Sequence, residues 1–441
     1  MRNLTRILLA SLTVMTFAAV SRAQTLGTIA GVVKDASGAV LPGVTVEVAS
    51  PALIEKTRSA ITDSSGEYAI ISLPVGTYDV TFTLTGFSTV KRDGIGVLAN
   101  FTAAVNAELK VGAVAETITV TGESPLIDVQ GTITNRAVTP DLIKAIPNGG
   151  TMYQLAAMMP GVFISGGQDV GGSSGSPVGA QLSTHGGPGS DEVQMLDGIR
   201  IGNMMGGSRT QQTLSPLLYD EVDVQLSGQS GDAVSLGVTS NSIPRSGGNT
   251  FAGTLLTNGS GPALQADNLT PRLQALGLTS TSTLKALFDV NGSVGGPLVK
   301  DRLWFYVTER YQTNSTYAAG AFYDTNPLPT FGNLTRVATT QQGYNPQYLW
   351  DNTFRLTAAL TPKLRVNGTG IVQRKWWPYY PGVSAAASPE TNVQITWPGR
   401  IYQGSATYAA TSRLLFEGGF NWQDSSDFWT PLSFANNVGG S

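Results

Sequence analysis

From residue 246 onward the chain alternates between two kinds of side chain over stretches that are long for an ordinary sheet. Leu303, Phe305, Val307 and Glu309 interleave with Trp304, Tyr306, Thr308 and Arg310. Leu364, Val366, Gly368, Gly370 and Val372 interleave with Arg365, Asn367, Thr369, Ile371 and Gln373, and the same rhythm runs through 414–423. A period of two puts neighbours on opposite faces of a strand, so each run has one apolar side and one mostly polar side. The runs approach the ~9–11 residues of a tilted membrane strand; strands of soluble sheets average ~5–6. A water-soluble sheet is the plainer alternative. Thr361-Pro362-Lys363 predicts a tight turn between 354–360 and 364–372. Trp376, Trp377, Tyr379 and Tyr380 cluster at a strand end. Amphipathic rings there meet lipid headgroups, or line an external loop as candidate ligand contacts.

Composition narrows the chemistry. Only 13% of residues are charged and 52 of 441 are glycine, against usual values of about 25% and about 7%. Basic and acidic residues number 27 and 30, so no field attracts nucleic acid. Without cysteine, and with His185 as the single histidine, thiolate chemistry and multi-histidine metal sites are excluded, and a serine–histidine triad has few options. Gly171-Gly172-Ser173-Ser174-Gly175 fits the spacing of a hydrolase nucleophile but lies in low-complexity sequence, with no strand-to-helix elbow. The reading is a protein that is not an enzyme, needs no cofactor and holds no metal.

At the N-terminus, Arg2 and Arg6 precede an apolar stretch from Ile7 to Val20, and Ser21-Arg22-Ala23 offers small residues to a peptidase. That is a signal peptide, too short for a membrane helix. Removing it takes three arginines and no acid, leaving 24 basic and 30 acidic residues, net −6.

Residues 27 to about 110 alternate in short strands around 28–33, 44–48, 68–70, 78–84 and 103–109. Asp35-Ala36-Ser37-Gly38, Pro42-Gly43, Asp63-Ser64-Ser65-Gly66 and Pro74-Val75-Gly76 fall between them as turns. The elements Gly31-x-Val33-x-Asp35-x-x-Gly38, Leu41-Pro42-Gly43-Val44, Thr62-Asp63-x-x-Gly66-x-Tyr68, Leu73-Pro74-x-Gly76-x-Tyr78 and Gly86-Phe87 resemble a carboxypeptidase regulatory-like domain. The resemblance implies a transthyretin-like or Ig-like sandwich without peptidase ligands, and the aspartates read as turn formers.

Glu116-Thr117-Ile118-Thr119-Val120-Thr121 writes an edge strand. It is either the first strand of the next domain or a free segment that offers its main chain to a partner. Short helices are expected to start at Thr139 and Thr151. Val162 to Gly189 reads as a functional or mobile loop. Strands follow at 193–196, 199–201 and 238–243, and at 221–226 with Val222, Val224 and Leu226 facing inward. This order, with the Leu196-Asp197-Gly198 turn, resembles the plug of TonB-dependent outer-membrane receptors. Ser227-Gly228-Gln229-Ser230-Gly231 replaces the usual arginine-rich junction and points to the Oar-like subgroup. Gly247-Gly248-Asn249-x-Phe251-x-Gly253 and the run from Asn291 to Phe305 resemble that subgroup's first barrel strands.

The expectation is a mainly β chain. It reads as a signal peptide (1–23), a regulatory-like sandwich (24–112), a linker with a TonB-box-like strand (113–122), a small α+β plug (123–245) and the first strands, about eight, of an incomplete transmembrane barrel (246–441). A plugged family barrel has about 22 strands, so a longer receptor is expected. The resemblance implies a receptor or transporter in the bacterial outer membrane, with the sandwich in the periplasm. Implied partners are TonB at 116–121, outer-membrane lipid, the barrel assembly machinery and an extracellular oligosaccharide, peptide or other large solute. Plug loops near His185 and Arg209 join the aromatic cluster as candidate contacts. The alternative is a surface or periplasmic carbohydrate-binding or adhesion protein without transport.

Overall fold

The structure is a computed structural model. It describes residues 26–53, 56–98, 101–112, 117–121, 134–138, 159–165, 181–184, 186–201, 213–227, 237–278, 280–324, 337–361, 363–380, 382–384, 389, 392–411, 414–426 and 428–431. The signal-peptide segment, Glu116, His185, Arg209 and the helices expected at Thr139 and Thr151 lie outside the described residues.

Eight strands build the N-terminal sandwich: β1 (Gly27–Asp35), β2 (Thr45–Ala49), β3 (Thr57–Ile61), β4 (Glu67–Leu73), β5 (Gly76–Thr83), β6 (Thr89–Val97), β7 (Thr102–Ala104) and β8 (Ala107–Leu109). One sheet runs β4-β1-β7, with β8 also on β1; the other runs β3-β2-β5-β6. Period-two alternation sends Ile29, Val33, Val46, Val48, Tyr78, Val80 and Phe82 into a fully buried core. Asp35 acts as a turn former: its Oδ1 accepts from the amides of Ser37 (2.8 Å) and Ala39 (2.9 Å). Asp63 repeats this on Ser65 (2.9 Å) and Glu67 (3.0 Å). These bonds to the ionised form, the Ser37 hydroxyl first, hold the Asp35 carboxyl below its ordinary value. β3 and β6 were not evident from pattern, since Lys91-Arg92-Asp93-Gly94 breaks the apolar rhythm of β6.

β9 (Thr117–Thr121) does not stand free. It pairs in parallel with β6, Thr89 facing Thr117 through Asp93 facing Thr121, and closes the second sheet as its outermost strand.

The glycine-rich middle folds on a five-stranded sheet. Its strands are β10 (Thr134–Val138), β13 (Val193–Leu196), β14 (Ile199–Arg200), β15 (Tyr219–Ser227) and β16 (Thr239–Pro244), in the order β10-β15-β16-β13-β14. β11 (Val162–Ser165) and β12 (Gln181–Thr184) zip together as a separate ribbon. The segment expected to be a functional or mobile loop therefore has Val162–Ser165 paired with Gln181–Thr184. Val222, Val224 and Leu226 are buried as expected, but so are Glu221 and Asp223: the second face of β15 is covered as well.

The remainder is one antiparallel sheet of eight strands: β17 (Ala252–Ser260), β18 (Thr283–Val299), β19 (Leu303–Asp324), β20 (Ala338–Thr361), β21 (Leu364–Tyr380), β22 (Val393–Thr411), β23 (Leu414–Ser425) and β24 (Phe428–Pro431). Consecutive strands pair from β17 to β23, and β24 adds to β22 beside β23. Among the described residues β17 and β23 do not meet, so the sheet stays open. β19 and β20 have 22 and 24 residues, twice the expected length. At about 3.4 Å per residue and a tilt near 45°, β19 climbs about 50 Å. An apolar band of about 25 Å covers only half of that, so each long strand overhangs it.

Short hairpins gather at one end of this sheet, with Thr361 facing Leu364 as the expected tight turn requires. Asn249 clamps the hairpin after β18. Its Nδ2 donates to Asp301 Oδ1 (2.7 Å), and its Oδ1 accepts from the Asp301 amide and from Trp304 Nε1, both at 2.9 Å. Asp301 itself has φ +61°. A Cβ on Gly247 would run into the carbonyl oxygen of Phe305, which requires glycine there.

Candidate functional site

The large sheet is dressed inside out by the standard of a soluble sheet. On one face Phe288, Val294, Phe354, Val372, Tyr402, Phe416, Phe420 and Trp422 are exposed. On the other Asp289, Asn291, Thr308, Arg310, Asp351, Thr353, Arg355, Thr357, Gln373, Lys375 and Gln403 are buried. The covering body is the middle globule, whose core of Leu182, Leu196, Leu218, Val222 and Val224 includes Ile371 and Ile401 of the sheet.

Polar side chains of the wall grip the globule at 213–217. Gln373 holds Thr213 twice: Nε2 donates to the carbonyl (2.8 Å) and Oε1 accepts from the amide (2.9 Å). The same Nε2 donates to Asp351 Oδ1 (3.0 Å), and Asp351 Oδ2 accepts from the Ser215 amide (3.2 Å). Arg310 donates to the Leu214 carbonyl (3.4 Å) and forks onto both oxygens of Asp289 (3.0 and 2.8 Å). Tyr306 donates to the Leu217 carbonyl (2.8 Å), and Ser215 Oγ to Asn291 (3.1 Å). A second grip lies at the Asp197-Gly198 turn, where φ is positive at both residues. There Arg355 pairs with Asp197, Gln403 donates to the Leu196 carbonyl (2.7 Å) and Asn421 to the Arg200 carbonyl (2.8 Å). Paired in this way, buried charges avoid the several kcal/mol that a lone one costs. Lys375 departs from the rule: it is 2% exposed and its Nζ has no hydrogen-bond partner.

Inside the globule Glu192 accepts from the Leu182 amide (2.9 Å) and from Gln194 (2.8 Å). Burial outweighs both bonds and pushes its carboxyl up to about 7.

The aromatic cluster divides. Trp376 stacks on Tyr348 (5.0 Å) and continues through Trp350 to Tyr311, in step with the exposed apolar face. Trp377 lies two positions beyond the inward Lys375, and a register shift separates it from Tyr380. Tyr380 packs edge-on against Trp377 (5.1 Å) and Trp429 (5.0 Å). Tyr379 meets Tyr344 (6.1 Å), with its hydroxyl 3.3 Å from that of Tyr323. A cavity of about 750 Å³ opens elsewhere, at the hairpin end, between Ser50–Leu53 of the sandwich and Arg365, Asn367 and Thr407 of the wall. Its lining mixes both signs of charge, Arg58 and Lys363 with Asp79 and Glu417. The grip itself went unforeseen, although its members all stand at the polar, inward positions of the period-two rhythm.

Residues 28–110 match the carboxypeptidase regulatory-like domain family. The TonB-dependent transporter Oar of Myxococcus xanthus is 28% identical over 308 residues, which cover 66% of this chain and 28% of that protein. The outer-membrane transporter YddB from Escherichia coli shares the fold with a TM-score of 0.50 at 11% identity, over 67% of this chain and 39% of its own. The siderophore receptor PirA from Acinetobacter baumannii superposes with a TM-score of 0.46 at 15% identity, over 66% and 40%. The chain thus spans less than half the length of the proteins it matches. A sandwich, a mixed globule and an inside-out sheet follow one another in the chain; its first domain belongs to the carboxypeptidase regulatory-like family, and the chain is similar in sequence to the Oar-type TonB-dependent transporters.

Proposed function

We propose that the protein is a non-enzymatic receptor that captures a solute outside the cell and passes it through the outer membrane, with its sandwich in the periplasm. One observation carries this reading: the large sheet exposes its aromatic and aliphatic side chains and buries arginine, aspartate and glutamine against the globule. Water would drive the opposite arrangement, whereas lipid around a plugged sheet favours it. In this reading 116–121 is the TonB box, gripped by TonB as an added strand, and the barrel assembly machinery inserts the sheet. A solute rich in ring or amide faces, an oligosaccharide or peptide, suits the aromatic residues Trp377, Tyr379 and Tyr380; His185 and Arg209 stand as further contacts. PirA is described as a siderophore receptor, which makes an iron chelate the competing cargo.

The pairing of β9 with β6 favours a second reading, a surface or periplasmic carbohydrate-binding protein whose 117–121 is an ordinary sheet strand. Capture by TonB separates the two. Ile118→Pro removes a main-chain donor from the strand and is expected to abolish capture of the detergent-solubilised protein. Equal capture of wild type and variant would end the assignment of the box.

A further inference from the structure

Within the segment read as the coupling strand, Thr117–Thr121 is already paired with β6 before any partner arrives. β9 has β6 on one side and, among the described residues, no strand on the other. A strand with one neighbour presents a row of main-chain donors and acceptors along its open edge. Such edges are normally blunted by lysine, proline or a bulge. Thr117–Thr121 contains no charge, proline or glycine, and its five-residue register with β6 is unbroken. The tether is short as well: Val111 bridges Phe87, and by Thr117 the chain is already beside Thr89.

We propose that the sandwich and β9 together form one composite docking edge. A periplasmic partner with an unpaired strand of its own adds beyond β9 while β9 stays on β6. This rests on the reading of 116–121 as the TonB box and gives the sandwich a role in it. A free peptide of this sequence is an ensemble that must be ordered on binding. The docked strand is extended in advance, so more of the pairing energy appears as affinity.

The chain has no cysteine, so Thr89→Cys with Thr117→Cys introduces one disulfide between positions in register. Neighbouring strands, about 4.8 Å apart, lie within the span such a bond tolerates. The full chain in detergent, oxidised or reduced, is titrated with the periplasmic domain of TonB, and a peptide of residues 113–125 is titrated alongside. The oxidised protein is expected to bind at least as tightly as the reduced one, and both at least tenfold tighter than the peptide. Loss of binding on oxidation, restored by reduction, would show that the strand must leave β6 and would overturn the proposal. So would a peptide that binds as tightly as the chain, or a disulfide that fails to form under oxidation. Ile118→Pro keeps the two failures apart: if it binds TonB as wild type does, the TonB-box reading itself falls.

Discussion

Gln373→Leu tests whether the wall holds the globule through its polar face. Leucine fills nearly the same space, so the perturbation is the loss of three hydrogen bonds: two to the peptide groups of Thr213 and one to Asp351. Each buried polar group deprived of a partner costs about 1–3 kcal/mol. Asp351 keeps the Ser215 amide, Thr213 is only half-buried and keeps another contact, and local relaxation recovers part of the rest, so the upper bound is the low end, about 3 kcal/mol. At 1.4 kcal/mol per tenfold that is roughly 100-fold in the opening equilibrium of the segment. Hydrogen exchange at the amides of Leu214, Ser215, Leu217 and Leu218 reads it directly. Protection should fall by up to about that factor in detergent-solubilised protein. Val372→Ala, one residue away on the exposed face, should leave it within about threefold. Unchanged protection in Gln373→Leu would show that shape alone seats the globule.

Two further outcomes follow from the same geometry. Because burial raises Glu192 to about 7, the folded globule keeps a proton that the unfolded chain releases above its ordinary value of 4.5. Stability is therefore highest below that value and falls as pH rises to 7, by at most about 3 kcal/mol. Glu192→Gln should flatten the dependence of Tm between pH 5 and pH 8, and a slope that survives the substitution would exclude this residue as its source. Phe420 is 65% exposed, with its ring over Gly404. Phe420→Arg should cost about 2–4 kcal/mol if it faces the lipid midplane, read as a lower urea midpoint in liposomes; no change would place that strand outside the membrane.

What could be read from the sequence was what depends on near neighbours. The rhythm at 303–310, 364–373 and 414–423 gave strands and their two faces, and the aspartates at 35 and 63 gave turns. The turn at Asp197-Gly198 and the strands at 193–196 and 221–226 were legible for the same reason. Partner choice was not. Nothing within Thr117–Thr121 says that it lies on β6, because that contact is settled by which edge the sandwich leaves open. Glu221 and Asp223 looked like a solvent face until a second layer covered them. Gln373, Asp351 and Arg310 each occupied an unremarkable polar position; only registering β19, β20 and β21 side by side brings Arg310, Asp351 and Gln373 into one row.

The wall grips the globule mostly by its peptide groups: the carbonyls of Leu196, Arg200, Thr213, Leu214 and Leu217, and the amides of Thr213 and Ser215. Every residue but proline offers the same amide, and every residue the same carbonyl, so outside the Asp197–Arg355 pair and the Ser215–Asn291 bond the clasp is blind to which side chains the inner body carries there. That body is free to diversify while its seat stays constant. A globule transplanted from a relative that follows the same path at 196–200 and 213–217, and keeps Asp197 and Ser215, should snap into this wall without redesign.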